Sequence, residues 1–294
     1  MHRQNLAYSI LEIICIDDCS SDSTPKILEE YRKVDRRLRI VRLKEHSGAG
    51  AARNIGMSRA RGKFVHFVDA DDLVTDNSYS AWIDTLEQTG ADFSCARYKR
   101  IDFITNRELD IGCCAFNEKV HVLDISADKS LLIRESVAPW NKMYKKSFIL
   151  QNNLRFDETM VRNDRSFYLS SVIKAHKVAF YAGCVYGHFV NRTGSLVFQS
   201  ARYFEDVVTV FKNVFQLCKD CENNTFSDIM DVQFRDLFFW CKKCAGTEYE
   251  SKALNDVKNF LDVFCMKNMI IERCKPTTVK MIREFESQNS NVKI

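Results

Sequence analysis

Three carboxylates follow a short apolar run in the first quarter of the chain. Asp69, Asp71 and Asp72 lie within four residues of one another, directly after the sequence KFVHFV at residues 63–68. Close carboxylates repel one another, and a divalent cation removes that repulsion. Hard oxygen ligands suit Mn²⁺ or Mg²⁺, which commonly take further ligands from a substrate phosphate. The group therefore predicts a metal site, with an acidic loop that caps the next helix as the alternative.

A second polar group, DDCSSD, occupies residues 17–22. Asp17 and Asp18 end the apolar run EIICI, and two serines and a third acid follow. At a strand-to-helix junction, acids and hydroxyls can bind a base or a ribose through hydrogen bonds. The same residue types are also the usual N-caps of helices. Nucleotide binding and ordinary helix capping are therefore both open for this segment.

A run of small residues, GAGAARN, spans residues 48–54. It is not the dinucleotide fingerprint, because its sixth place holds no Gly, and it is not a P-loop, because no Gly-Lys-Ser/Thr follows. Small residues allow close packing near a ligand, and Arg53 is suited to a phosphate or a base. The alternative is a tightly packed helix with a solvated Arg53.

These three groups lie where predicted strands and helices meet. Apolar runs predict strands at residues 12–17, 38–43, 63–69 and 91–98, and helical spacing predicts a helix that begins near Thr24 and others at 49–60 and 78–88. This alternation predicts an α/β fold in which a mostly parallel sheet carries helices on both faces. Ligands of such sheets bind beyond the carboxyl ends of the strands, where Asp17, Asp18 and Asp69 are expected.

The composition is that of a globular protein with little net charge. The chain has 294 residues, 46% of them hydrophobic, and a net charge of +4, which is too weak to indicate nucleic-acid binding. It has no run of 18 apolar residues and no signal-peptide pattern. We therefore predict an α/β domain at residues 1–200, a helical C-terminal extension at 201–294, and a cytoplasmic location, either free or docked on a membrane face.

Two CxxC pairs lie in the predicted helical extension. Cys218 and Cys221 precede Cys241 and Cys244 with 19 residues between the pairs, a spacing that zinc sites also use. Residues 226–244 are predicted to form one amphipathic helix, about 27 Å long at 1.5 Å per residue, which would hold the pairs far apart. Buried helical thiols in a reduced compartment are therefore favoured over a zinc module.

The stretch from residue 12 to residue 74 resembles the family 2 glycosyltransferases, which have the GT-A fold. The resemblance rests on EIICIDDCSSDST, SGAGAARNIG and FVDADD, which occur in that order and at the usual spacing. It extends more loosely through WNKMY, NDRSF and YGHFVNRTGS, and covers the helical tail poorly. Within these looser segments, Trp140 is suited either to a sugar ring or to the core, and His188 and Arg192 either to a diphosphate or to a structural role.

The resemblance implies a nucleotide-sugar site built from the three ordered motifs. Asp18 matches the acid that contacts the nucleotide base, with Asp17 beside it, and Arg53 matches a basic residue close to the nucleotide. Asp69 and Asp71 match the motif that binds the ribose and the metal. Asp72 completes the implied metal set, in which Asp71 is the principal ligand for Mn²⁺ or Mg²⁺.

A further match implies the catalytic base. The family carries a Glu-Asp pair where this chain has Asn163-Asp164, so the second acid is retained at Asp164. The implied reaction is an inverting transfer, in which this carboxylate deprotonates an acceptor hydroxyl that attacks the anomeric carbon of a nucleotide-sugar. The donor is expected to be UDP-linked, and the acceptor to be a glycan or a lipid-linked sugar.

One departure from the family motivates a second hypothesis. Family members begin with another strand and helix, and that strand would lie in the middle of the sheet, whereas this sequence starts almost at the strand of residues 12–17. Its absence is expected to leave neighbouring strands without ladder partners and to expose apolar surface. The alternative is therefore a truncated, catalytically inactive remnant that binds nucleotide weakly or serves as an interaction protein.

Overall fold

The computed structural model describes residues 11–112, 120–125, 129–192, 201–264 and 267–289. Strands and helices alternate through the first third of the chain, as the sequence predicted. The elements there are β1 (Ile13–Asp17), α1 (Thr24–Val34), β2 (Leu38–Arg42), α2 (Gly48–Arg59), β3 (Phe64–His66), β4 (Leu73–Val74), α3 (Ser78–Thr89) and β5 (Phe93–Asp102). β3 is shorter than the predicted strand 63–69, because the chain leaves the strand after His66, ahead of the acidic group.

The middle of the chain adds strands and short helices, and the last third is helical. The middle elements are β6 (Glu108–Gly112), β7 (Val120–Asp124), α4 (Ser130–Ile133), a 3₁₀ turn (Pro139–Asn141), β8 (Lys142–Lys145), α5 (Lys146–Gln151), α6 (Arg165–Lys174) and β9 (Lys177–Val190). The helical part contains α7 (Phe204–Cys218), α8 (Asn223–Lys243), α9 (Glu250–Asn259), a π turn (Phe260–Phe264), α10 (Lys267–Arg273) and α11 (Pro276–Gln288). The predicted helical extension is confirmed.

The α/β class is confirmed, but the strand directions differ from the expected mostly parallel sheet. Among the described strands, only β1–β2 and β5–β9 pair in parallel. The other ladders of the seven-stranded sheet, β3–β8, β8–β5, β9–β4, β5–β6 and β7–β9, are antiparallel. The difference arises from the middle of the chain, where β6, β7 and β8 form only antiparallel ladders. β9, which follows α6, pairs in parallel with β5.

The β1–β2 pair forms a sheet of its own, and no described strand joins it to β3. Residues 13–16 of β1 are only half-buried, although their apolar run is typical of a strand covered on both faces. None of the α1 residues is buried, and its apolar residues Ile27, Tyr31 and Val34, which are spaced along one stripe of the helix, are exposed. Among the described residues, β1 and β2 therefore have only each other as ladder partners, and apolar side chains of α1 are exposed.

One hydrophobic core joins the seven-stranded sheet to the C-terminal helices. It runs from Met57 and Val65, through Phe167 on α6, to Phe234 and Ile282 in the helical part. The apolar stripe of α11 faces this core, because Phe285 stacks on Phe238 of α8 with ring centroids 4.6 Å apart. The division at residue 200 stays a prediction, and residues on both sides of it share this core.

The cysteine pairs lie at opposite ends of α8, as the predicted single helix requires. The helix has 21 residues, and its length at 1.5 Å per residue is about 30 Å. Burial raises the pKa of Cys218 and of Cys241 to about 12, which favours protonated thiols. In the described ranges, no group of three or more His, Cys, Asp or Glu side chains is arranged to hold a metal ion. Within the same ranges, no helix combines the length and the apolar character that crossing a bilayer requires.

Candidate active site

Asp18 holds the N-terminus of α2. Its carboxylate accepts hydrogen bonds from the backbone N–H of Ser47 at 2.7 Å and of Gly48 at 2.8 Å, and the His46 ring lies 2.8 Å from it. Unpaired amides at a helix N-terminus attract a negative charge, so Asp18 anchors the helix after β2. Asp17 is buried beside it, where it accepts from the Ser20 amide and pairs with Arg42.

The small residues of α2 allow it to touch the segment that precedes α6. A Cβ atom at Gly50 would lie 1.9 Å from the carbonyl oxygen of Asp157 and 3.0 Å from the Cβ of Asn163. Only a residue without a side chain fits this contact. The GAGAARN run thus brings α2 directly against the segment that carries Asp164.

Arg53 bridges two of the predicted motifs. Its guanidinium donates to Oδ1 of Asn163 at 2.7 Å and to Oδ1 of Asp69 at 2.6 Å, and it lies 5.5 Å from the centre of the Phe156 ring. A guanidinium has several donors in a fixed plane and can satisfy two acceptors at once. Arg53 therefore joins the acidic group after β3 to the residue next to Asp164.

Asp72 lies inside a hydrogen-bonded cage. Its carboxylate accepts from the Tyr186 hydroxyl at 2.9 Å and from the backbone N–H of Phe189 at 2.8 Å, and the ring of His188 lies 3.1 Å away. The side chain is 2% exposed. The Tyr186 hydroxyl also accepts the backbone N–H of Asp69 at 3.0 Å, so it ties both ends of the acidic group to β9.

Asp69 and Asp71 are the accessible carboxylates of the acidic group, with side chains 32% and 53% exposed. Each is paired with an arginine: Asp69 with Arg53, and Asp71 with Arg192 at 2.8 Å. Carboxylate oxygens suit a metal that takes its other ligands from a diphosphate, and in this structure the two arginines neutralise them instead. These residues therefore fit Mn²⁺ or Mg²⁺ in chemistry, while the described residues contain no three-ligand group.

Asp164 is the residue that precedes α6. It occupies the N-cap position, yet its carboxylate makes no capping hydrogen bond to the described first turn. Burial raises the pKa of this carboxyl above its usual value, while Arg53, Arg165 and Arg162 act in the opposite direction. A partly buried carboxylate with a raised pKa is a better proton acceptor than an exposed one.

Trp140 belongs to an aromatic stack rather than to an open surface. Its ring lies parallel to that of Tyr186, with centroids 4.8 Å apart, and close to that of His188 at 5.0 Å. The His66 ring forms a hydrogen bond with the Trp140 carbonyl oxygen, and burial lowers the pKa of His66 to about 4. The stack supports Tyr186 and thereby the acidic group, which favours the core alternative for Trp140.

The structure brings together Arg53, Asp69 and Asp164, which are far apart in the sequence. Asp18 connects to them through α2, whereas Asp17 turns towards Arg42. Sequence reasoning missed the role of Tyr186 and the bridging role of Asn163. Both lie inside segments that resemble the family, but no local residue pattern distinguishes their roles.

Comparison with known proteins gives a consistent result. A sequence model of Glycosyl transferase family 2 matches residues 2–121. TuaG of Bacillus subtilis, whose name refers to teichuronic acid biosynthesis, is 39% identical over 87 residues, which are 30% of this chain and 34% of TuaG. The glycosyltransferase GlyG of Streptococcus pneumoniae is 26% identical over 233 residues, which are 74% of each protein.

A solved structure shares the fold. The crystal structure of S. aureus TarS 1-349 in complex with UDP has a TM-score of 0.75 and 18% sequence identity, and the match covers 99% of this chain and 82% of that one. The resemblance seen in the sequence and the GT-A fold are thereby confirmed. The chain spans about one third of the length of TuaG and about three quarters of that of GlyG.

Proposed function

We propose that this chain transfers a sugar with inversion from a UDP-linked donor to a glycan hydroxyl. Its residues 2–121 match the sequence model of Glycosyl transferase family 2, and its fold is GT-A. One observation carries the proposal. Arg53 bonds both to Asp69, in the acidic group, and to Asn163, next to Asp164. A donor site and a catalytic base must lie side by side in such a reaction, and the bridge supports the proposal because it joins the residues to which we assign these two roles.

In the proposed reaction, Asp164 accepts the proton of the acceptor hydroxyl. The oxygen then bonds to the anomeric carbon, the bond from that carbon to the diphosphate breaks, and UDP carries away the electron pair. The transition state has oxocarbenium character, as in glycosidases. The raised pKa of Asp164 suits this proton transfer, because a stronger base meets a smaller energetic mismatch with a hydroxyl.

The donor-binding roles follow from exposure and charge. Asp69 and Asp71 are proposed to hold Mn²⁺ or Mg²⁺, which when bound offsets the charge that develops on the departing diphosphate. Asp72 is proposed to position them, because its carboxylate is enclosed by Tyr186, Phe189 and His188. Asp18 is proposed to line the nucleoside side of the site, and the buried Asp17 beside it to support the loop through the Ser20 amide and Arg42.

We also propose a domain division, an acceptor class and a location for the reaction. We place the catalytic GT-A part in residues 1–200, with residues 201–294 as its helical extension. The acceptor is proposed to be a glycan or a lipid-linked sugar, used at the cytoplasmic face of a membrane. The names of the similar proteins support a role in glycan assembly, and the particular sugar is left to experiment.

A thermal-shift titration with UDP, with and without Mn²⁺, tests the donor site. A ligand that binds only the folded protein raises the melting temperature by mass action. We expect a Mn²⁺-dependent rise that is lost in Asp71→Ala and retained in Asp220→Ala, a control that removes an exposed carboxylate after α7. Asp164→Asn should keep the rise and lose sugar transfer, measured as UDP release with a panel of UDP-sugars and glycan acceptors.

A second candidate function is nucleotide or protein binding without turnover. The separate β1–β2 sheet and the exposed stripe of α1 favour it, because both leave apolar surface next to the loop that carries Asp18. A UDP shift without any sugar transfer would favour nucleotide binding without turnover. No UDP shift from a protein that melts cooperatively would favour protein binding over both nucleotide binding and sugar transfer.

A further inference from the structure

The segment that carries Asp164 is held by the C-terminal helices as well as by α2. Asp206, near the start of α7, accepts hydrogen bonds from the backbone N–H groups of Met160 at 2.8 Å and Val161 at 3.4 Å. Both donors are backbone N–H groups, so the contact fixes the backbone and not a side chain. Residues 160 and 161 therefore follow the position of α7.

Asp236 on α8 holds the residues on both sides of Asp164. Its Oδ1 lies 3.0 Å from a guanidinium nitrogen of Arg162, and its Oδ2 lies 3.2 Å from one of Arg165. Arg165 is buried, and the other two side chains are mostly so. One carboxylate thus clamps two arginines that are three residues apart, with Asp164 between them.

The clamp also holds an unfavourable backbone conformation. Arg162 has φ of +63°, in the left-handed region that residues with side chains rarely adopt. Its guanidinium lies 4.7 Å from the centre of the Trp240 ring, and Trp240 Nε1 donates to Asp236 Oδ1 at 3.2 Å. Such conformations persist only where the surroundings over-determine them, and they cluster at functional sites.

We propose that Asp236 is a positioning residue for sugar transfer, which holds Arg162 and Arg165 so that Asp164 is kept in place as the base. This inference rests on the proposed function. It makes α8 part of the working site, although α8 lies outside the residues that match the family model. Asp236 also balances the two cations that flank Asp164.

Kinetics of three variants test the proposal. Asp236→Asn removes the charge, Asp236→Glu restores it, and Asp231→Asn is the matched control. Asp231 lies on the same helix and pairs with Arg235 at 3.2 Å, and it accepts a hydrogen bond from Thr278 at 2.8 Å. It thus has an ion pair on the same helix, with a more exposed arginine, that does not touch the segment of Asp164.

Displacement of a catalytic group by about 1 Å can lower a rate about 100-fold, so we expect a loss of kcat of that order in Asp236→Asn. The KM for the UDP-sugar and the UDP-induced thermal shift should stay unchanged, Asp236→Glu should recover part of kcat, and Asp231→Asn should match the wild type. Equal losses in the two Asn variants, or a matching loss of UDP binding in Asp236→Asn, would overturn the proposal.

Trypsin supplies a readout that does not need activity. Trypsin cleaves after arginine, and the clamp protects the bond after Arg162. Cleavage there should be faster in Asp236→Asn than in the wild type or in Asp231→Asn. A wild type that transfers no sugar, together with accelerated cleavage, would refute the proposed function and leave the clamp intact. Unchanged cleavage in Asp236→Asn would refute the clamp itself.

Discussion

Replacement of Gly50 by Ala tests whether the contact between α2 and the segment of Asp164 organises the site. The added Cβ would lie 1.9 Å from the Asp157 carbonyl oxygen, and real Cβ contacts are essentially never below 3.0 Å. The two backbones must therefore separate by roughly 1 Å, since a carbonyl oxygen cannot rotate away as a side chain can.

The expected cost follows from two opposing effects. Overpacking costs about 1–3 kcal/mol, and a rigid backbone neighbour places this case near 3 kcal/mol. Ala is a better helix former than Gly by about 1 kcal/mol, which leaves a net loss of about 2 kcal/mol in the free energy of unfolding. The separation also moves Arg53 relative to Asn163, so kcat/KM should fall about 100-fold.

Gly56→Ala on the same helix is the matched control. A Cβ there would lie 3.5 Å from Cγ1 of Ile16, an ordinary van der Waals contact. Only the gain in helix propensity then acts, so the free energy of unfolding of this variant should rise by about 1 kcal/mol, with unchanged activity. Urea denaturation of both variants with the wild type measures the two changes, which have opposite signs.

Equal midpoints for Gly50→Ala and Gly56→Ala would refute the close approach of α2 to residue 157. A destabilised Gly50→Ala protein with full kcat/KM would keep that contact and refute its role in aligning Arg53 with Asn163.

Three other predictions concern the acidic group and the base. Tyr186→Phe removes the hydroxyl between Asp72 and the Asp69 amide, so it should cost about 1–3 kcal/mol of unfolding free energy in urea and weaken the Mn²⁺-dependent UDP shift. Because the pKa of Asp164 is raised, kcat should fall on acidification at a pH above the ordinary Asp value near 3.9, and a limb at or below that value in the pH profile would contradict this. Asp71→Asn should weaken UDP binding in Mn²⁺ but leave the metal-free unfolding free energy within about 0.5 kcal/mol of the wild type, because an exposed ion pair contributes little; isothermal titration and urea denaturation check the two.

The strand and helix order could be read from the sequence because it depends on local periodicity. Apolar runs and helical spacing located β1, α1, β2, α2, β3, α3 and β5, whereas the two-residue strand β4 was not predicted. The carboxylates at the end of β1 and after β3 are where we expected a ligand to bind, and that expectation stays a prediction. The antiparallel ladders of β8 and β9 could not be read in this way, because they join residues that are 47 or more positions apart, and pairing leaves no local signal.

The contacts that organise the site are also non-local. Arg53 and Asn163 are 110 residues apart, and Asp72 and Tyr186 are 114 apart. A Tyr in an apolar strand predicts a buried ring and gives no indication of the acid that its hydroxyl meets. The roles of Asp164 and Asp18 were available only through the family resemblance, and they stay predictions.

The separate β1–β2 sheet has a consequence for folding cooperativity. Residues 11–43 contribute few buried side chains to the protein, and α1 contributes none. By contrast, β5 and β9 pair over ten positions in the seven-stranded sheet. Regions with few buried contacts open at lower free energy than the global transition, as separate cooperative units. Backbone amides of β1 and β2 should therefore exchange hydrogen sooner than those of β5. Since Asp18 ties this unit to α2, a nucleotide held between Asp18 and Arg53 would slow that exchange.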